Sequence, residues 1–304
     1  MLEFVTVFFS DDRILMKLQA RSFRLFVAPE VVSVIHVINN DEESGPARRA
    51  FEAEVLHEYG GLATKVVFHP WDAVISSKFK ATGWRVQQAL KLGISKYVET
   101  RYYVVLDAKN HYIRDVGRGD FFSADDDQKP IMFRGSPKGN LREYFKRTFE
   151  YLEQDPDRYI ENAMPATTPY ILMTNIVRQL IEYVEDREGV GIEEVMLSRN
   201  RHVTEFFLYY GFLLRSGLVP EDIYKFTKKR GVTLFTRWPE REEDLDRALG
   251  LLARPEYKMF GLHRNRVARM TGQQRQLIVD TWIGAGLVAD GDEAAEFLRL
   301  PEAD

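Results

Sequence analysis

The sequence contains no cysteine. That excludes a disulfide scaffold, thiolate metal sites, iron–sulfur clusters and cysteine nucleophiles, and it fits a cytoplasmic protein. Long hydrophobic runs are missing too. The greasiest stretch, Phe206 to Leu214, falls far short of a membrane span of about 20 residues, so no transmembrane segment is expected. Positive charge is not in excess: 42 Lys and Arg against 46 Asp and Glu leave a formal net charge of −4. A general affinity for nucleic acid or acidic membrane is therefore not implied. There is no Walker-type loop, GxGxxG, GxSxG or HExxH, which argues against P-loop NTPases, classical dinucleotide dehydrogenases, α/β-hydrolases and zincin proteases. The segment Met1 to Phe9 lacks a basic n-region and a small-residue cleavage site and reads as a core strand rather than a signal peptide.

What is present is ample material for a core. The 304 residues include 20 Phe and 14 Tyr and are enough for one large domain or two small ones. Apolar runs at Phe4–Phe9, Val31–Ile38, Lys65–His69 and Tyr102–Leu106 predict strands. Helical spacing at Ile14–Phe26, Ala47–Tyr59 (stopped by Gly60-Gly61) and Thr82–Val98 predicts helices between them. This alternation predicts an α/β fold with a mostly parallel sheet covered on both faces. Farther on, Ile131–Phe133 reads as a short strand, Asp125–Pro130 as a loop, and Leu141–Leu152, Ile171–Val184 and Val203–Leu214 as helices. An acid-rich helix start at Glu240–Asp246 precedes a basic segment. One domain with a C-terminal elaboration is the expected organisation.

In parallel sheets, ligands bind beyond the carboxyl ends of the strands. Those ends carry Ser10-Asp11-Asp12, Asn39-Asn40-Asp41 and Asp107. Asp107 follows a greasy strand, where a carboxylate meets a ligand or a hard cation or simply caps a turn; Asn110 and His111 are further candidate ligands. On the helix after Thr82, a residue suited to capping, Trp84, Gln87, Gln88 and Lys91 gather opposite Val86 and Leu90. An aromatic ring, two amides and a cation make either a surface for a base and a phosphate or an ordinary solvated face. Glu205 opens a helix that is apolar almost all round. An enclosed carboxylate there suits a general base, or it pairs with an arginine such as Arg201. From Tyr257 to Gln276 there are five basic residues and no acid, which suggests an anionic ligand near His263, a solvated helix face or a patch for an acidic partner. Of the other histidines, none at metal-binding spacing, His36 lies in a strand and reads as a satisfied core residue.

Taken in order, Gly83-Trp84, Gln87-Gln88, Leu90-Lys91-Leu92, Leu106-Asp107-Ala108-Lys109-Asn110-His111 and Thr204-Glu205-Phe206-Phe207-Leu208-Tyr209 resemble GT-A-type glycosyltransferases. The resemblance is to an uncharacterised bacterial family grouped with nucleotide-diphospho-sugar transferases, and it runs from about Phe4 to His263. It implies a single GT-A-like domain: a Rossmann-like nucleotide-binding half over 1–115, an acceptor-side half over 116–235 and a helical C-terminal extension over 236–304. It also implies a DxD-type motif that holds Mn2+ or Mg2+ against a sugar-nucleotide diphosphate. Asp107 takes the place of the first acid. The place of the second is held by Lys109, whose ammonium cannot bind a metal. Either Asn110 and His263 complete the shell, or Lys109 itself neutralises the diphosphate.

The resemblance makes Lys91 the helix cation that contacts this motif and Glu205 the base that deprotonates the acceptor hydroxyl. It makes His263 the C-terminal histidine of the metal or diphosphate site. Asp11, Asn39 or Asp41 would then contact base or ribose, with Trp84 and Gln88 bordering the nucleotide. The expected partners are a nucleotide-diphosphate sugar and a glycan or other hydroxyl acceptor. Lys109 also motivates an alternative, a non-catalytic nucleotide- or glycan-binding protein of the same fold. A third reading is an interaction protein whose basic tail docks an acidic partner.

Overall fold

The apolar runs of the first third form a parallel sheet. In the computed structural model, which describes residues 1–125, 128–199, 202–228 and 231–299, β1 (Leu2–Phe8), β2 (Val32–Asn39), β3 (Val66–His69) and β4 (Tyr102–Asp107) lie parallel in the order β3-β2-β1-β4. A further strand, Tyr170–Met173, closes the β4 edge in antiparallel register. The α/β class expected from strand–helix alternation is the one observed: a mostly parallel sheet flanked by helices. Every residue of β1 is buried, including Glu3 and Thr6. Glu3 is satisfied by the backbone N–H groups of Glu99 and Thr100 and by His36, whose other ring nitrogen meets His69 at 2.9 Å. His36 is thus a bonded core residue, as its strand position predicts.

Two boundaries and one cap differ most from the sequence reading. The segment Ile171–Val184 is not one helix. Tyr170–Met173 pairs with β4, and the helix runs from Thr174 to Glu188. The stripe of Met173, Ile176, Val177 and Leu180 is continuous across the junction, and a short apolar run fits either element. The helix expected over Ala47–Tyr59 ends at Glu54 and continues as tighter turns to Lys65, with Gly60 at φ +53. Thr82 holds the N-cap position of the helix Gly83–Gly93, but its side chain makes no capping bond; its carbonyl accepts from Arg85 and Val86 instead. Within the loop read over Asp125–Pro130, Asp126 and Asp127 lie outside the described residues.

A second, smaller sheet was not foreseen. β5 (Asn110–Tyr112), β6 (Ile131–Phe133), β7 (Tyr170–Met173, the strand on the β4 edge), β8 (Lys225–Thr227), β9 (Gly231–Leu234) and β10 (Met259–Leu262) complete the strands among the described residues. β5, β10 and β9 form a three-stranded sheet, and β6 pairs with β8. The C-terminal residues build their own apolar cluster around Trp282, Ile278 and Phe260, reaching Leu18 of the first helix and Ile113. His111, expected as a ligand, is buried in that cluster and accepts from the Trp282 indole at 2.9 Å. Arg21 ties the two parts together through Glu58 and Glu293.

The small sheet braces the turn after β4 at a single glycine. Gly261 pairs with Asn110 on one side and Thr233 on the other. A Cβ placed there would stand 2.8 Å from the Asn110 amide nitrogen and 3.0 Å from a Thr233 methyl carbon. Asn110 cannot yield, because its amide oxygen is bonded to the Asp107 N–H and the Thr168 hydroxyl. Gly261→Ala is expected to destabilise the fold by about 1–3 kcal/mol through this overpacking. An unchanged urea midpoint would show that the turn is looser than described.

Candidate active site

The site forms where the strand order reverses. β1 lies between β2 and β4, so its end is the switch point at which open α/β sheets leave a crevice. Register places Phe8 beside Asn39 and Val7 beside Asp107. A cleft of about 720 Å³ opens there, lined by the ends of β1 and β4, by the segments that follow β9 and β10 and by the helices Gly83–Gly93 and Glu205–Arg215.

At its centre is a chain of four charges. Asp107 ends β4, and the turn that follows is held by Gln19, which donates to the carbonyls of Asp107 and Asn110 at 2.8 Å each. The carbonyl of Lys109 in this turn accepts from Leu262, fastening the turn to the end of β10. Lys91, two turns into its helix, reaches Asp107 Oδ1 at 2.8 Å and Glu205 Oε1 at 3.4 Å. Lys109 bonds Asp107 Oδ2, and the Thr168 hydroxyl, which donates to Asn110 Oδ1 at 2.6 Å, stands 3.0 Å from the same carboxylate oxygen. Glu205, Lys91, Asp107 and Lys109 therefore alternate in sign and sum to zero. Arg201, the arginine that the sequence offered to Glu205, lies outside the described residues; the ion pair that the structure describes is with Lys91.

Burial sharpens these charges. It pushes the Asp107 carboxyl upward, but Lys109 and Lys91 overcome it and hold the group well below the usual carboxylate range. For Lys91, burial opposes the charge, and Asp107 and Glu205 more than restore it. Glu205 goes the other way: burial raises its pKa, Lys91 opposes and the Asp107 charge adds to the rise. His263 is pushed down to about 4 by burial and by the neighbouring charges of Lys109 and Arg264, so it is neutral near pH 7.

The cleft gathers Trp84, Lys91, Asp107, Lys109, Glu205 and His263. It does not gather the rest of the expected site. Asn39 is fully buried, with its amide spent on Asp41 and Ser44. Asp41 turns back to accept from the Ser10 N–H and hydroxyl. Asp11 pairs with Arg264 at 3.2 Å on the outer side. Gln88 is buried, and its one bond is to the carbonyl of Trp84 at 3.5 Å. The basic segment is split: Lys258 pairs with Asp120, while Arg264 lines the cleft beside Asp12, its partner at 3.1 Å. Asp12 and Asn40 of the polar strand ends and Thr204 of the Glu205 motif line the cleft too, together with Thr168, Thr236 and Trp238, which the sequence did not single out. Asn40 Oδ1 and Thr204 Oγ1 are buried there without a hydrogen-bond partner among the described residues.

The donor set does not fit Mn2+ or Mg2+. A hard cation needs oxygen lone pairs converging on one point. Both oxygens of Asp107 already accept from ammonium groups. Asn110 has its amide oxygen committed to Asp107 and Thr168, beneath the turn rather than in the cleft. His263 Nδ1 accepts the Asn265 N–H at 3.2 Å, which leaves the proton of the neutral ring on Nε2, where a metal would need a bare nitrogen. Among the described residues no group of three or more His, Asp or Glu is placed to hold a metal. No helix there is long and apolar enough to cross a membrane.

Several solved structures are similar to this chain. Mouse xyloside xylosyltransferase 1 in its apo form matches with 12% identity and a TM-score of 0.44, over 86% of this chain and 96% of that one. The galactosyltransferase LgtC in complex with donor and acceptor sugar analogues matches with 12% identity and a TM-score of 0.47, over 99% and 98%. The glycosyltransferase GlyE of Streptococcus pneumoniae TIGR4 matches with 10% identity and a TM-score of 0.49, over 98% of this chain and 63% of that one. No curated protein matches the chain. A sequence model of the family of unknown function DUF6492 matches residues 6–234, and the chain belongs to that family.

Proposed function

We propose that the protein is a glycosyltransferase that moves a sugar from a nucleotide-diphosphate donor to a hydroxyl acceptor. The observation that carries this reading is the Glu205–Lys91–Asp107–Lys109 chain at the switch-point crevice. It sets a carboxylate of raised pKa and two fixed cations on one buried network. In this reading residues 1–115 hold the donor, 116–235 face the acceptor, and 236–304 close the diphosphate end through His263 and carry Trp238 to the acceptor side. The base and ribose lie toward the ends of β1 and β2, where Asn40 Oδ1 is a free acceptor among the described residues, and Trp84 stands where nucleotide and acceptor meet.

The leaving diphosphate meets Lys109 and Lys91. An ammonium has three donors. Lys109 is described with one bond to Asp107, so it keeps donors for phosphate oxygens. Asp107 acts as the clamp that fixes both lysines, and no step runs through a metal. Charge develops on the β-phosphate oxygen as the glycosidic C–O bond breaks, and preorganised cations lower that barrier. The acceptor oxygen forms the new bond to the anomeric carbon, and its proton passes to Glu205. His263, neutral with its proton on Nε2, donates to the same diphosphate.

A thermal-shift screen of nucleotide sugars tests this. A donor at 100 times its Kd adds about 2.7 kcal/mol, or about 5 °C in Tm for a chain of this size. Release of nucleoside diphosphate should follow when acceptor is supplied. Binding without turnover would move the reading to a non-catalytic nucleotide- or glycan-binding protein. A screen in which no nucleotide sugar shifts Tm would end it.

A further inference from the structure

Two indoles stand half-exposed in the wall of the cleft, Trp84 at 50% and Trp238 at 48%. Large aromatic surface left in water at a cleft marks a place where something docks. The Trp84 ring packs on the helix Asn140–Tyr151, and the Trp238 ring meets the segment that leads into it. The Trp84 ring lies 5.8 Å from Tyr144, and the Trp238 ring lies 5.5 Å from Lys138 Nζ, just before the helix. Leu141, in the first turn of that helix, lines the cleft as well. The helix packs on the helix that carries Glu205, through Phe145 against Phe207 at 5.0 Å. The indoles thus belong to the wall that leads to the carboxylate, and Thr204 beside it offers a buried hydroxyl with no partner among the described residues.

The surroundings of the rings are polar. Thr167, Thr236 and Arg237 line the same cleft. A lipid chain would need continuous apolar lining, and an extended peptide would need a free strand edge to pair with. A sugar ring presents an apolar C–H face and a rim of hydroxyls, which matches flat indoles set among hydroxyl and guanidinium donors. Resting on the transferase reading above, we infer that Trp238, with Trp84, is a stacking platform for the acceptor and that the acceptor is an oligosaccharide.

The test is a glycan array probed with the labelled full chain, beside arms carrying a Ser/Thr-rich peptide and phosphatidylglycerol vesicles. The wild type should bind oligosaccharides. Trp238→Ala should weaken that binding at least tenfold, Trp238→Phe should retain it within about threefold, and Trp71→Phe, away from the cleft, should leave it unchanged. The inference is overturned if no glycan is bound, if Trp238→Ala binds as the wild type does, or if only the peptide or the vesicles are captured. UDP and GDP titrations of the same preparation separate the two claims. Glycan binding without nucleotide binding removes the transferase and keeps the platform; nucleotide binding without glycan binding does the reverse.

Discussion

Replacing Glu205 with glutamine is expected to reduce sugar transfer by about 10²–10⁴-fold, the contribution usual for a positioned general base. The substitution keeps size and shape, so the helix start should hold. Lys91 keeps Asp107 as its partner at 2.8 Å. Donor affinity should hold as well, because the local charge becomes more positive, which suits a diphosphate. The loss should therefore fall on kcat and leave the donor KM within about threefold. The pH profile gives a second readout. Burial lifts Glu205 above its ordinary carboxyl value of 4.5. A base must be deprotonated to work, so kcat/KM should fall as pH drops through an acid limb that lies above pH 4.5. That limb should be missing from the residual activity of Glu205→Gln. A variant with full activity, or one that keeps the limb, would remove Glu205 from the chemistry.

Lys109→Met is expected to weaken nucleoside diphosphate binding by at least tenfold and to lower transfer by about 10²–10³-fold, the effect typical of deleting one electrostatic donor. The reason is the charge count. With Lys109 present the four-group chain is neutral; without it two carboxylates face one ammonium, and a diphosphate would add to the excess. Added Mn2+ should not restore activity, because Asp107 Oδ1 remains bonded to Lys91 and Asn110 remains beneath the turn. Rescue by Mn2+ would show that the turn can be rebuilt as a metal site and that Lys109 is dispensable.

How much of this was legible in the sequence depends on how local each cause is. β1, β2 and β4 announce themselves as greasy runs, and the alternation with helices leaves few topologies open. Lys91, Asp107, Glu205 and His263 stood out because each is a charged or titratable residue set against an apolar element. The small sheet did not stand out. β5 is only Asn110–Tyr112, and β10 contains Gly261 in what reads as a basic tail. Strands that short are defined by their partners, not by their own pattern. The polar strand tips misled for a related reason. Asn39 and Asp41 are polar where a ligand would bind, yet their hydrogen bonds close their own loops, as Asn and Asp commonly do. Thr168 and Trp238 join the cleft only through long-range packing. No spacing in the chain reports that Thr168 stands beside Asp107.

The metal question also turned on contacts rather than composition. The sequence left two routes open, a shell of Asp107, Asn110 and His263 or a diphosphate met by Lys109. The structure sets two ammonium groups against Asp107, commits Asn110 Oδ1 to the Asp107 N–H and Thr168, and commits His263 Nδ1 to the Asn265 N–H. The second route is the one that the proposed mechanism uses.

Fixed cations in this cleft, in the proposed mechanism, hold a nucleoside diphosphate without help from a metal. The decisive experiment is calorimetric titration of the full chain with UDP and with GDP, in EDTA and again in Mn2+. Saturable binding of at least one of them is expected in EDTA, with a Kd that Mn2+ changes by less than about threefold. Binding that occurs only with Mn2+, or no binding of either nucleotide, would show that the lysines do not suffice.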